Sequence, residues 1–380
     1  MDFAFGEDQE LLRTTTRRFL AEHQPIAEVR RRIEERQPFD PDRWRRGAAL
    51  GWAAMLVPVE HEGGSVTEQP LVDLIVLAEE LGRTLNPGPF VPCNVVAEAI
   101  VRFGSQAQAQ EYLGPIARGE LVCAWCLSGD GSPEPAAVEA LATRSADGWR
   151  VDGVARYVQT VGDTGLVLVT ARDIGTEDMI NLLVPVPSPG LSERVVAGLD
   201  LTRRFAEVRF DGVVVPATAE LAGGWSATER CLAVAVVLQA GESVGAAEAL
   251  FESTVDYLKK RVQFGRTIGS FQAIKHRLAD LLIELEGMRA AAHFAALALG
   301  DGLDDAAEAV ATAGAYVDDA FAHLCGEALQ LHGGIGFTWD HDVHLYLRRA
   351  KVNQVLYGDR TWHRERLVRL AEGAAVGGGG

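Results

Sequence analysis

After Gly223-Gly224 the sequence runs almost to its end in long, alanine-rich segments, and such segments leave few ways to fold. Apolar residues recur at helical spacing over about residues 228–260, 271–299, 303–331 and 341–356, parted by short breaks at 265–270 and 300–302. Helices of this length joined so briefly must fold back on one another. The pattern therefore predicts an antiparallel four-helix bundle over residues 225–372, with Ser270 capping its second helix. The glycine-rich end, 373–380, is expected to be disordered.

The rest of the chain has two other textures. From Asp8 to about Arg118 the spacing is again helical, punctuated by Pro25, Pro38, Pro41, Pro58, Gly63-Gly64 and Asn86-Pro87-Gly88-Pro89, so residues 1–120 read as an all-helical domain. Near Leu121 short apolar runs begin, such as Leu166-Val167-Leu168-Val169 and Leu182-Leu183-Val184. They are separated by the turn pairs Asp147-Gly148, Asp152-Gly153 and Asp211-Gly212, which predicts a small β domain over 121–224. Cys123 and Cys126 lie on one such strand, whose twofold period sends their thiols to opposite faces. With no second pair nearby they read as core residues rather than a metal site. His341 and His344 lack a clear third ligand, and no metal is expected there either.

A formal charge of -17 argues against nucleic acid or an anionic membrane as partner, because such surfaces are bound through clustered Lys and Arg. Any anionic ligand must be held by local charge. The acidic start, without a long apolar run, shows no targeting segment, and five scattered cysteines suit reduced thiols. Both point to the cytoplasm.

Two stretches carry chemical information. Residues 260–276, KRVQFGRTIGSFQAIKH, end one helix in cations, turn through Gly265, and open a new helix whose free N–H groups suit an anionic phosphate. A plain helix–turn–helix with a solvated Arg261 has the same pattern. Residues 330–338, QLHGGIGFT, place three glycines at a helix end, where they either close the helix or let backbone approach a ring or pyrophosphate. Together with Leu201-Thr202-Arg203-Arg204, the run 210–216 (FDGVVVP) and the N-terminal Asp8-Gln9-Glu10-Leu11-Leu12-Arg13, these stretches resemble the acyl-CoA dehydrogenase family over roughly residues 3–370.

The resemblance implies an N-terminal helical domain, a middle β-barrel and a C-terminal four-helix bundle, with FAD as cofactor. It implies an acyl-CoA substrate dehydrogenated to the trans-2-enoyl-CoA, an external electron acceptor, and a tetramer. By it, Arg261 would meet the FAD pyrophosphate, Phe264 and Gln272 would lie beside the cofactor, and Gln330, Gly333 and Gly334 would belong to the adenine-side loop, all serving the FAD of a neighbouring subunit.

The sequence departs from the family in two places. Where the family's commonest pattern carries its catalytic Glu, this chain has Tyr357, and the other position used for the base falls near Ala235. Tyrosine, with a reference pKa of about 10, is a poor base near neutrality. Glu242, in an apolar stretch of the first bundle helix, is either the base or a structural group; Asp359, next to Tyr357, is the second candidate, and Glu229 a third. The segments that would hold the flavin ring of the chain's own FAD, 127–133 and 156–160, also diverge. The chain is thus expected to be a homotetrameric dehydrogenase in its own right, or a supporting subunit in an α2β2 assembly with a related chain, as in family members acting on bulky acyl-CoAs. Another flavin oxidase reaction on the same fold, with Asp359 in place of the Glu, is a third expectation.

Overall fold

The structure, a computed structural model, describes residues 6–372 apart from 38, 147 and 161, together with the backbone of 373–377. Six helices come first: α1 (Glu7–His23), α2 (Ile26–Glu34), α3 (Pro41–Ala48), α4 (Pro70–Arg83), α5 (Phe90–Phe103) and α6 (Gln106–Ala117). Local chemistry fixes several ends. The Asp40 carboxylate accepts from the Asp42 and Arg43 amides, with Pro41 opening α3, and Ser105 forms a capping box with Gln108 at the start of α6. Helices α4 and α5 are buried on nearly every face, which explains their unbroken apolar runs.

The middle domain is an eight-stranded sheet made of β1 (Cys123–Cys126), β2 (Leu141–Ser145), β3 (Gly148–Thr160), β4 (Leu166–Asp173), β5 (Met179–Pro185), β6 (Leu191–Val196), β7 (Arg204–Val215) and β8 (Glu220–Leu221). The ladder runs β6-β7-β3-β2-β4-β5-β8, and β1 adds to β4 in parallel. Inward side chains including Cys126, Trp149, Val169, Leu182 and Phe210 share one core. Cys123 faces the other way, into the helical core, so the two thiols do take opposite faces of their strand. Two expected turns are corrected. Asp152-Gly153 lies inside β3 and Asp211-Gly212 inside β7, where the pairing slips between Val151 and Gly153 and the Gly212 amide donates to Asp152. Asp-Gly supplies a positive φ, which a bulge uses as readily as a hairpin does. Asp147, of the remaining turn pair, lies outside the described residues, as does Pro38.

The C-terminal part holds α7 (Gly224–Lys260), a small hairpin of β9 (Val262–Gln263) and β10 (Arg266–Thr267), α8 (Gln272–Asp301), α9 (Ala306–His332), α10 (Val343–Asn353) and α11 (Arg360–Gly377). Four of these helices match the expected bundle; α11 is an addition. The tail expected to be disordered from 373 is helical as far as Gly377, and Gly378–Gly380 lie outside the described residues. Ser270 does not cap α8: its hydroxyl donates to the Thr267 carbonyl inside a 3-10 turn, and Phe271 takes the capping position. Helix α7 is long and apolar enough to cross a membrane, yet 83% of its most apolar window is buried in the protein. It is the central strut. Its backbone touches α4: a Cβ on Gly245 would come within 1.8 Å of the Glu79 carbonyl oxygen, and one on Gly82 within 2.0 Å of that of Glu242. Glycine is required at both positions because any side chain would force these helices apart.

Candidate functional site

A cavity of about 620 Å3 opens between the sheet domain and the end of α10. The loop at 130–133, Tyr157, the segment 196–199 and Phe205 form its sheet-side wall; Val352, Leu356 and Trp362 form the other. Among the described residues its only charged lining groups are Asp130 and Asp359, and both are acidic. Among the described residues no cation lines the cavity, so a phosphate placed inside it would meet carboxylates.

The three carboxylates considered as bases fare differently. Glu242 does not line the cavity; it is buried, and its Oε2 accepts from Arg203 Nη2 in a short contact, with Arg349 Nη1 3.9 Å from Oε1. A carboxylate committed to two buried guanidiniums is a structural counter-ion rather than a proton acceptor, which corrects its candidacy as base. Asp359 does line the cavity, but it is exposed and its Oδ1 accepts from the Trp362 amide at 2.8 Å, acting as the N-cap of α11. Glu229 sits 3.8 Å from Arg366 at the surface, so its partner is not the adjacent Arg230. Tyr357, at the expected base position, stacks on Trp125 with ring centroids 6.1 Å apart and has a left-handed φ of 61°. Burial pushes its hydroxyl pKa up, opposed by Arg203 and reinforced by Glu242. It remains neutral at physiological pH.

Behind the cavity runs a buried polar chain that the sequence did not reveal. Arg349 donates to Asp200 at 2.6 Å, to Thr202, and to the Leu85 and Asn86 carbonyls. Burial would raise the Asp200 carboxyl, yet Arg349 and Arg203 hold it below the usual carboxylate range. Arg203 also donates to Asn353 Oδ1 at 2.9 Å; Asn353 donates to Ser243, and Ser243 to Asp318 at 2.6 Å. The chain ends at Gln239, whose amide donates to Asp318 at 2.8 Å and to the Asn353 and Leu356 carbonyls. Among the described residues no cation contacts Asp318 directly, and burial pushes its pKa up to about 6.

The residues expected at a cofactor lie on a different surface. Arg261, Gln272, Gln330, Gly333 and Gly334 are exposed, and Phe264, with a left-handed φ of 55°, is 91% exposed. None of them lines the cavity. The two glycine-bearing segments do meet: Tyr257, one turn before Arg261, stacks on His332 at 4.6 Å and donates to its carbonyl. Among the described residues no carboxylate pairs with Arg261, and a Cβ at Gly333 or Gly334 would meet nothing within 4 Å. An open cation near bare backbone suits an anionic phosphate group and a flat ring. His341 packs against His332, and His344 stacks on Trp339.

Comparison with known proteins bears on both surfaces. Family profiles described as acyl-CoA dehydrogenase, N-terminal domain, and acyl-CoA dehydrogenase, C-terminal domain, match residues 6–120 and 222–371. Acyl-CoA dehydrogenase IpdE2 of Mycolicibacterium smegmatis is 31% identical, over 96% of this chain and 98% of its own length. Among solved structures, the ChsE4-ChsE5 complex of Mycobacterium tuberculosis has a chain 26% identical, with a TM-score of 0.88 over 98% of this chain and 99% of that one. A variant of the Tcur3481-Tcur3483 steroid ACAD is 29% identical, with a TM-score of 0.85 over 97% and 99%.

Proposed function

This chain belongs to the acyl-CoA dehydrogenase family, FAD-dependent oxidoreductases acting on CH–CH bonds, and we propose that it serves the dehydrogenation of an acyl-CoA as the supporting half of a mixed oligomer. The observation that carries this is the split between its two surfaces. At the position expected for a base stands Tyr357, half-buried, neutral and outside the cavity lining, and the cavity wall itself offers a capping aspartate. The surface that faces outward offers Arg261 and the open backbone of Gly333 and Gly334. Both of the solved relatives described above are named as pairs of different chains, which suits a division of labour.

Bound FAD would supply a hydride acceptor for the substrate's β-carbon, and a carboxylate would be needed to remove the α-proton. In this proposal the carboxylate is the related subunit's. Of this chain's residues, Arg261 would supply positive charge to the cofactor's phosphates, Phe264 would shield it from water, and the loop from Gln330 through Gly333 and Gly334 would let backbone come close. Tyr357 and Trp125, stacked on each other, fill the place where a base would otherwise act. A cytoplasmic location belongs to the same proposal, supported by five buried, unbridged cysteines.

A second reading has this chain as a self-sufficient dehydrogenase with Asp359 as base, favoured by the place of Asp359 on the cavity wall. The visible spectrum of the purified protein separates the two. A colourless chain that acquires flavin only when co-expressed with a related partner supports the first reading. Flavin bound by this chain alone and bleached anaerobically by acyl-CoAs overturns it.

A further inference from the structure

We infer that Gln239 and Asp318 are positioning residues of the cavity, holding the Leu356 carbonyl and with it the turn at 356–359 that forms one wall. A helix leaves its last carbonyls without partners, and these must find donors elsewhere. At the end of α10 the donor is Gln239 Nε2, from the facing helix α7, at 3.0 Å from the Asn353 carbonyl and 3.3 Å from that of Leu356. Leu356, Gly358 and Asp359 all line the cavity. Gln239 is in turn oriented by Asp318, which takes its other amide proton at 2.8 Å.

The same buried network reaches the opposite wall. From Asp318 hydrogen bonds pass through Ser243 and Asn353 to Arg203 and on to Glu242, whose Oε1 lies 3.9 Å from Arg349 Nη1, and Arg349 ties Asp200, the residue after cavity-lining Leu199. Both walls are therefore registered to one buried network, whichever chain supplies the base.

The arrangement has an internal lever. Gln239 Oε1 is buried without a hydrogen-bond partner. While Asp318 is ionised it accepts only, so it holds the Nε2 side of the amide and keeps that side on the carbonyls. Once protonated, Asp318 offers a donor that Oε1 lacks, and an amide flip to meet it withdraws Nε2 from Leu356. Burial places this titration near pH 6. The other charges acting on Asp318 are Asp319 on its own helix and Arg203 from the sheet domain; Glu242 on α7 and Arg349 on α10 lie one step further along the network, paired with Arg203 and with each other. His363 of α11 packs over Gly314 one turn away, but burial pushes its pKa down to about 4, below the window.

The test is hydrogen exchange of peptides covering 352–362 in the full chain, expressed as protection relative to intrinsic rates, from about pH 5 to pH 8. Wild type should lose protection in this segment, by about fivefold for one hydrogen bond, as pH falls through about 6. Gln239→Leu should show the low protection at every pH, with peptides from the middle of α8 unchanged. Asp318→Asn, nearly isosteric, should fold even where Gln239→Leu does not, and should show no step with pH. Wild-type protection in Gln239→Leu, or a step near pH 6 that survives in Asp318→Asn, overturns the assignment. Neither readout involves flavin, so this result stands apart from that of the absorption experiment.

Discussion

Replacing Asp318 with Asn should stabilise the protein above pH 6 and weaken it in acid. Burial pushes the carboxyl pKa up to about 6 in the folded chain, against an ordinary aspartate value of 3.8. Between those values the folded state holds the proton more tightly than the unfolded state, so stability falls as pH rises through the window and the penalty is complete above about 6. At 1.36 kcal/mol for each pH unit the gap is worth about 3 kcal/mol. An asparagine keeps the geometry: its carbonyl can accept from Gln239, and its amide can donate to Ser243 Oγ, which already accepts from Asn353. Rearranging the Ser243 hydroxyl proton costs part of the gain, leaving about 1–2 kcal/mol net. Urea unfolding of both proteins from about pH 4 to pH 8 reads this directly. The stability difference should stand about 1–2 kcal/mol against the variant at the acid end, where only the rearrangement cost remains, and rise by about 3 kcal/mol to its plateau by pH 7. A difference independent of pH, or a variant less stable at pH 7, would refute the reasoning.

Other substitutions test separate parts of the account. Glu242→Gln leaves the Arg203 and Arg349 guanidiniums short of a buried counter-charge and should cost about 3–5 kcal/mol in denaturant unfolding; a near-neutral result would reopen its candidacy as a base. Gly245→Ala drives a methyl into the Glu79 backbone at the contact of α4 and α7 and should cost at least about 2 kcal/mol in the same assay. Arg261→Gln should leave melting of the isolated chain unchanged, since the side chain is exposed, while lowering FAD retention of the assembled complex about tenfold or more, read by flavin absorbance after gel filtration.

The architecture was legible because it is written in local pattern: helical spacing at both ends, short apolar runs between them, and a strand period that sent Cys123 and Cys126 into different cores. Local pattern also explains the misses. Asp152-Gly153 and Asp211-Gly212 announce an unusual backbone angle but not whether a turn or a bulge will use it. Ser270 is a good cap in isolation, yet a 3-10 turn claims its hydroxyl. Glu242 read as a carboxylate in apolar surroundings, which is true; its partners Arg203 and Arg349 come from another domain and another helix, and only folding brings them to it. Gln239 and Asp318 gave no signal at all, because a buried amide or acid on an alanine-rich helix means nothing until the carbonyl it serves is in place.

The supporting role is tested most directly by counting flavin in the assembly formed with a related acyl-CoA dehydrogenase subunit, from absorbance and quantitative amino-acid analysis. The account predicts half as many FAD molecules as chains, no flavin on this chain alone, and bleaching by acyl-CoA that survives Asp359→Asn here. One FAD on every chain, with bleaching lost in Asp359→Asn, would contradict it and make this chain a dehydrogenase in its own right.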